Sequence, residues 1–321
     1  MKLVTINAGS SGHPGVLLGD AEVIDLIALR RISRLALMLP DSVRGILDAG
    51  DEGLALVRRC LAEVEGMTAG ELDRLHEGGL LAPLQGTPLL APVPNPRLIL
   101  AASGNYARHL KEYPDVSLPK YPTAFVKTRD SLIGHGQPIV LPEQFPDKVD
   151  FEGEMCFVFG RTCHNVDEAS AMDFVAGYTI ANDVSARDWV PEVFTSNERF
   201  ESIRTWERNI MGKNLPTFTP CGPVLTTRDE IRDPHDLAIT TRLNGKVMQS
   251  SSTSDQVSGI ATLISYFSKW YRFQPGDIVT TGTPEGVGAG RTPPVFMRAG
   301  DQIEVEIAGL GKLSNRVTGS R

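Results

Sequence analysis

Apolar residues come in short bursts over the first 26 positions: Val4 and Ile6, then Val16 to Leu18, then Val23, Ile24 and Leu26. Glycines divide them, as in Gly15-Val16-Leu17-Leu18-Gly19, and this spacing predicts a small antiparallel meander. The period then changes. Pro40-Asp41-Ser42 is a helix-start signal, and Leu54, Val57, Leu61 and Val64 recur at spacings of three and four, which predicts an amphipathic helix. A proline-rich join follows, with Pro83, Pro88, Pro92, Pro94 and Pro96. Residues 1–90 are therefore expected to form a small N-terminal domain of strands plus helices, serving packing or dimerisation. Residues 96–321 are expected to form a second, larger domain.

In that larger segment apolar strand-like runs alternate with Gly, Pro and Asp turns. They are Leu98 to Ala102, Thr123 to Val126, Phe151 to Phe159, Ala176 to Ala181, Leu237 to Leu243, Asp277 to Thr281 and Gln302 to Ile307. Two helical patterns interrupt them, one from about Asp167 to Val175 and one carrying Val257, Ile260, Leu263, Ile264 and Phe267. Many strands and few helices predict an α+β fold of rolled, mixed sheets rather than a doubly wound parallel sheet.

Composition narrows the function classes. The chain has 321 residues, is 41% hydrophobic and 22% charged, and carries a formal net charge of −7. An acidic balance argues against nucleic acid as a partner, because phosphate binding needs a basic face. No apolar run approaches the ~20 residues that span a bilayer, and the N-terminus lacks the apolar stretch of a signal peptide. Cys60, Cys156, Cys163 and Cys221 form no CxxC pair and no zinc spacing, which fits a reducing cytosol.

The chemistry concentrates in a few places. Glu152 and Glu154 flank Gly153 at the head of an apolar strand, and side chains two apart on a strand share a face. Paired carboxylates repel unless a cation lies between them. Asp183 ends a second apolar run and is either a turn or cap residue or a third ligand. Three oxygen ligands without His or Cys favour a hard ion, Mg²⁺ or Mn²⁺, with Ca²⁺ also acceptable. His109 and Glu112 are three apart, so on a helical turn the carboxylate can orient the imidazole as a base. Lys127 and Lys213 are either surface lysines or counter-charges to a substrate carboxylate, and Arg187 is either a substrate contact or a partner within its own turn. The glycine turn Thr281 to Gly288 can offer backbone N–H groups to an anion but is not a Walker loop.

Taken together these residues resemble the fumarylacetoacetate hydrolase family. The matching stretches are Gly104 to Glu112, Phe151-Glu152-Gly153-Glu154, Gly177 to Asp188, Gly212-Lys213, Thr281 to Gly288 and Gly309 to Leu313, in order over residues 98 to 315. The resemblance implies a mixed β-roll catalytic domain, a homodimer, and a divalent ion on Glu152, Glu154 and Asp183. His109 and Glu112 look like the water-activating pair on the mobile lid of the acylpyruvase branch. Lys127, Lys213 and Thr283 fall where family members bind substrate, with Tyr106 and Arg187 as further contacts. The implied reaction is hydrolytic C–C cleavage of an acylpyruvate, with Lys127 polarising the carbonyl under attack. The alternative is decarboxylation or keto–enol isomerisation of an oxaloacetate-type acid on the same metal site, and a further alternative is a non-enzymatic binder of keto acids. Two features depart from the family pattern. Trp189 and Val190 stand where Gln is often found, which removes a polar substrate contact. The long charged segment from Pro191 to Met211 is expected to shape the pocket.

Overall fold

The computed structural model describes residues 1–8, 12–112, 118–188 and 199–320. The opening meander forms as the alternation predicts: β1 (Lys2–Ile6), β2 (His13–Leu18) and β3 (Glu22–Asp25) pair antiparallel in sequence order. Ser42 caps α1 (Val43–Asp48), its hydroxyl accepting from the Gly45 amide at 3.0 Å, as expected of a serine at that position. After it come α2 (Gly50–Glu65), α3 (Ala69–Glu77) and β4 (Leu81–Pro83). The stripe on α2 turns inward: Val57 and Val64 are buried, Leu54 and Leu61 pack beside them, and the same cluster contains Leu3, Ile99, Cys156 and Val158.

The later chain supplies β5 (Ile99–Ser103), α4 (Ala107–Leu110), β6 (Thr123–Lys127), β7 (Gly153–Phe159), α5 (Glu168–Ala171), β8 (Val175–Asn182), α6 (Arg199–Gly212), β9 (Thr219–Thr227), β10 (Ala238–Leu243), β11 (Lys246–Ser252), α7 (Ile260–Phe267), β12 (Ile278–Thr280), β13 (Gln302–Ile307) and β14 (Gly311–Thr318). A 12-stranded sheet runs in the order β4-β3-β2-β1-β9-β8-β7-β12-β5-β6, with two short strands attached to its side. Its pairings are antiparallel along this path except β12 with β5. Lys2 and Leu3 lie opposite Thr226 and Leu225, so the sheet passes without a break from the N-terminal strands into the later ones. A second, 5-stranded sheet is built on β11-β10-β13-β14. Large mixed sheets with few helices are the α+β architecture that the patterning implies.

Local details differ from the pattern. The helix expected from Asp167 to Val175 is a single turn, capped by Asp167 on the Ser170 amide at 2.9 Å, that tightens into a 3₁₀ turn. Val257 lies before α7, its amide bonded to the Asn105 carbonyl at 2.8 Å.

The two faces of β7 serve different ends. Met155, Phe157 and Phe159 enter a core with Leu263 and Ile264 of α7, whereas Cys156 and Val158 enter the core covered by α2. By strand alternation Glu154 shares the face of Cys156 and Val158. The N-terminal helices thus cover one end of the strand face whose other end carries the carboxylate.

Candidate active site

Glu152 and Glu154 stand at the start of β7, and Asp183 directly follows its neighbour β8. The Asp183 amide donates to the Glu152 carbonyl at 2.8 Å, and the Glu152 amide donates to the Asn182 side-chain oxygen at 2.9 Å. These bonds fix the two strand ends relative to each other. All three carboxylates are buried, and one oxygen from each lies within 4.8 Å of the others. The glycine between the glutamates is required by packing, since a Cβ on Gly153 would overlap the Thr241 hydroxyl of β10.

Buried carboxylates so close need positive charge. Lys213 Nζ reaches Glu152 Oε2 at 2.9 Å and Asp183 Oδ2 at 2.6 Å. Lys127 pairs with the other Asp183 oxygen, and Arg187 pairs with Glu152. The charges are not evenly shared. Burial raises the Glu154 carboxyl to about 8, and Asp183 and Glu152 push it the same way. Burial also acts on Glu152, but Lys213 and Arg187 outweigh it and bring that carboxyl down to about 2. Burial lowers the Lys127 ammonium against the pull of Asp183, while Asp183 and Glu152 overcome burial to raise Lys213. Burial first, and the nearness of Asp183 and Glu152 second, favour the protonated form of Glu154, and a cation among the three carboxylates would relieve that crowding. An all-oxygen, buried trio fits a hard divalent ion.

His109 and Glu112 sit on and just after α4, with Nδ1 and Oε2 2.6 Å apart. The other Glu112 oxygen accepts from the Gly286 amide at 2.8 Å. His109, the three carboxylates, Arg187, Lys213 and Thr283 line one cavity of about 270 Å³, whose remaining wall includes Leu110, Phe125, Trp206 and Asn209.

The glycine turn does offer its N–H groups to anions, and those anions belong to the protein. Gly282 donates to Glu154 at 2.9 Å, Gly286 to Glu112, and Gly288 to the buried Asp150 at 2.6 Å. Asp150 in turn pairs with Arg187 Nε at 3.3 Å. The Thr283 hydroxyl lies between the Gly153 carbonyl at 3.1 Å and the Gln249 amide at 2.8 Å.

Two expected substrate contacts are placed elsewhere. Tyr106 is buried with its hydroxyl 3.3 Å from Gln256 Nε2 and does not line the cavity. Lys127 lies behind Asp183, its ammonium also donating to the Phe218 carbonyl at 3.1 Å. Arg187, Lys213 and Thr283 do reach the cavity. Trp189, Val190 and the segment up to residue 198 lie outside the described residues, so the departure at Val190 has no structural account. The rest of the charged segment forms α6, which brings Trp206 and Asn209 to the cavity. Phe200, Ile203, Trp206 and Ile210, at spacings of three, three and four, are the signal that marks this helix.

Residues 98–318 match the fumarylacetoacetate (FAA) hydrolase C-terminal family. The chain is 38% identical over 320 residues to the mitochondrial oxaloacetate tautomerase fahd2 of Xenopus laevis, covering 99% of this chain and 90% of the relative. It is 34% identical over 320 residues to the oxaloacetate tautomerase YisK of Bacillus subtilis, covering 99% and 100%. Among solved structures, maleylpyruvate hydrolase from Sphingobium sp. SYK-6, in complex with manganese(II) and pyruvate, superposes with a TM-score of 0.70 at 30% identity over the whole of both chains.

Proposed function

This chain belongs to the fumarylacetoacetate hydrolase family, and on that premise we propose that it is a divalent-metal-dependent keto–enol isomerase of a small, oxaloacetate-type 2-oxo acid. The observation that carries the reading is that an oriented proton carrier, His109 with Glu112, and a trio suited to a divalent ion face one small cavity. Isomerisation rather than hydrolysis is supported by the likeness to oxaloacetate tautomerases along almost the whole chain. The cavity is small, about 270 Å³, which suits a short acid.

Charge favours the same class. Three carboxylates face Lys127, Lys213 and Arg187, so the charge of a divalent ion is left to meet an anionic ligand. Counting Asp150 as ionised reduces that surplus by one. Mg²⁺ or Mn²⁺ on Glu152, Glu154 and Asp183 supplies Lewis-acid polarisation of a 2-oxo acid. Lys127 and Lys213 orient Asp183, and Lys213 also orients Glu152. Isomerisation transfers one proton from carbon 3 to the oxygen on carbon 2 and leaves every carbon–carbon bond intact. With Nδ1 engaged by Glu112, the exchange at carbon 3 is assigned to His109 Nε2.

A second reading keeps the same residues and adds water. His109 then deprotonates a water molecule that attacks the distal carbonyl of an acylpyruvate, and the C–C bond breaks. The 2.6 Å His109–Glu112 contact and the likeness to a maleylpyruvate hydrolase support it. The deciding experiment follows the enol absorbance of oxaloacetate and of an acylpyruvate with Mg²⁺ and with Mn²⁺. Faster keto–enol equilibration of oxaloacetate without pyruvate release is expected. Cleavage of the acylpyruvate with no effect on oxaloacetate would reverse the order of the two readings.

A further inference from the structure

Helix α6 adds a polar group that neither the carboxylate trio nor the His109 pair requires. Asn209 is buried and lines the cavity. Its side-chain oxygen accepts from Arg187 Nη1 at 3.1 Å. A guanidinium offers only donors, so the atom facing it must be the oxygen, which fixes the orientation of the amide. The amide nitrogen is then the outward atom, and it has no acceptor among the described residues. It is not one of the fully buried polar atoms without a partner, so it keeps its accessible surface on the cavity, where a ligand acceptor can reach it. The same cavity wall carries the apolar Leu110, Phe125 and Trp206, the last on the same face of α6 three residues earlier.

From this arrangement we propose that Asn209 is a specificity-determining residue: its amide donates to the distal carboxylate of a 2-oxo dicarboxylate whose other end lies at the trio. Arg187 orients the amide, and Trp206 covers the carbon chain between the two ends. The proposal rests on the 2-oxo acid reading given above and adds the reason for a second carboxylate. Where the distal group is a methyl, the amide donor stays unpaired in the cavity and such acids are disfavoured.

Oxaloacetate and 2-oxobutanoate provide the test, because they share the 2-oxo acid end and the four-carbon length and differ in the distal group. With manganese-loaded protein, Asn209→Ala should raise KM for oxaloacetate roughly tenfold, the usual scale for a hydrogen bond to a charged group. The inhibition constant of 2-oxobutanoate should stay within about twofold. Asn209→Asp keeps an acceptor for Arg187 and places a carboxylate against the distal one, so it should weaken oxaloacetate further and again spare 2-oxobutanoate. It also serves if the alanine variant does not fold. Equal loss for both ligands would mean that Asn209 acts only by positioning Arg187, and would overturn the proposal, as would no loss for either. If the wild-type protein does not isomerise oxaloacetate, the function reading fails separately. The same comparison then runs on dissociation constants from calorimetry, with the same two expected outcomes, and binding of neither ligand overturns both ideas.

Discussion

The carboxylate trio and the His109–Glu112 pair share one cavity, yet opposite kinds of structure carry them. Glu152, Glu154 and Asp183 stand at the ends of adjacent central strands, and their counter-charges come from buried lysines. His109 rides on a helix of four residues, too short to hold its shape alone. That helix is fastened from outside: Arg108 bonds Asp255 at 3.3 Å and Glu285 at 3.1 Å, and Glu112 bonds the Gly286 amide. The difference separates two tasks. The group proposed to hold the metal is set in the sheet, and the group proposed to move a proton sits on a single short turn fastened by its neighbours.

The largest effects are expected at the trio. Glu152→Gln, Glu154→Gln and Asp183→Asn should each abolish metal-dependent turnover, and chelation should do so reversibly. Calorimetry with Mn²⁺ should show the affinity lost in each variant. Stability of the chelated protein should separate them. Glu152→Gln strands buried cations and should cost about 3–5 kcal/mol, whereas Glu154→Gln removes the acid that the others crowd and should stabilise. The pH dependence follows from the same asymmetry. Glu154, raised from 4.5 to about 8, contributes stability that is complete below pH 4.5 and lost as pH rises through about 8. Glu152, lowered to about 2, contributes stability present above pH 4.5 and lost as pH falls through about 2. Between pH 4.5 and 8 the chelated protein should therefore lose Tm, and Glu154→Gln should flatten that slope in thermal melts.

Removing the proton carrier should cost less. His109→Ala should lower turnover by about 10²–10⁴-fold, the usual worth of general acid–base catalysis, with Mn²⁺ affinity unchanged in the same calorimetry. Unaltered turnover would dismiss His109 as the carrier. Glu112→Gln should act in the same direction by about tenfold, because it weakens the imidazole as a base and loosens its hold on Gly286. The smallest effect belongs to the outer fastening. Arg108 is half-exposed, and exposed ion pairs are worth at most ~1 kcal/mol. Arg108→Ala should reduce kcat/KM by less than about fivefold, and salt should mimic it. A loss as large as that of His109→Ala would mean that the short helix is held almost entirely by this one side chain.

The trio was legible because each acid borders an apolar run, so strand alternation alone sets Glu152 and Glu154 on one face. The α2 stripe was legible for the same reason of period. What the lysines do was not. Lys127 and Lys213 meet acids 56, 61 and 30 positions away, and no local pattern reports a partner at that distance. Strand β9 was not among the expected strands: it carries Pro220 and Pro223, residues uncommon inside a strand, although it pairs on both sides. Helix α6 hid behind its charges, so Asn209 passed unnoticed. The glycine turn was recognised as an anion binder, but which anions it binds depends on tertiary placement.

That turn gives the site a common reference point. Its backbone N–H groups hold Glu154 of the carboxylate trio, Glu112 beside His109 and Asp150 behind Arg187, all within Gly282 to Gly288. Whatever shifts this stretch of main chain displaces the charge store and the base together. Their relative alignment is therefore set less by the side chains that perform the chemistry than by seven residues of peptide backbone, and a substitution that bends the turn would detune both at once without touching either.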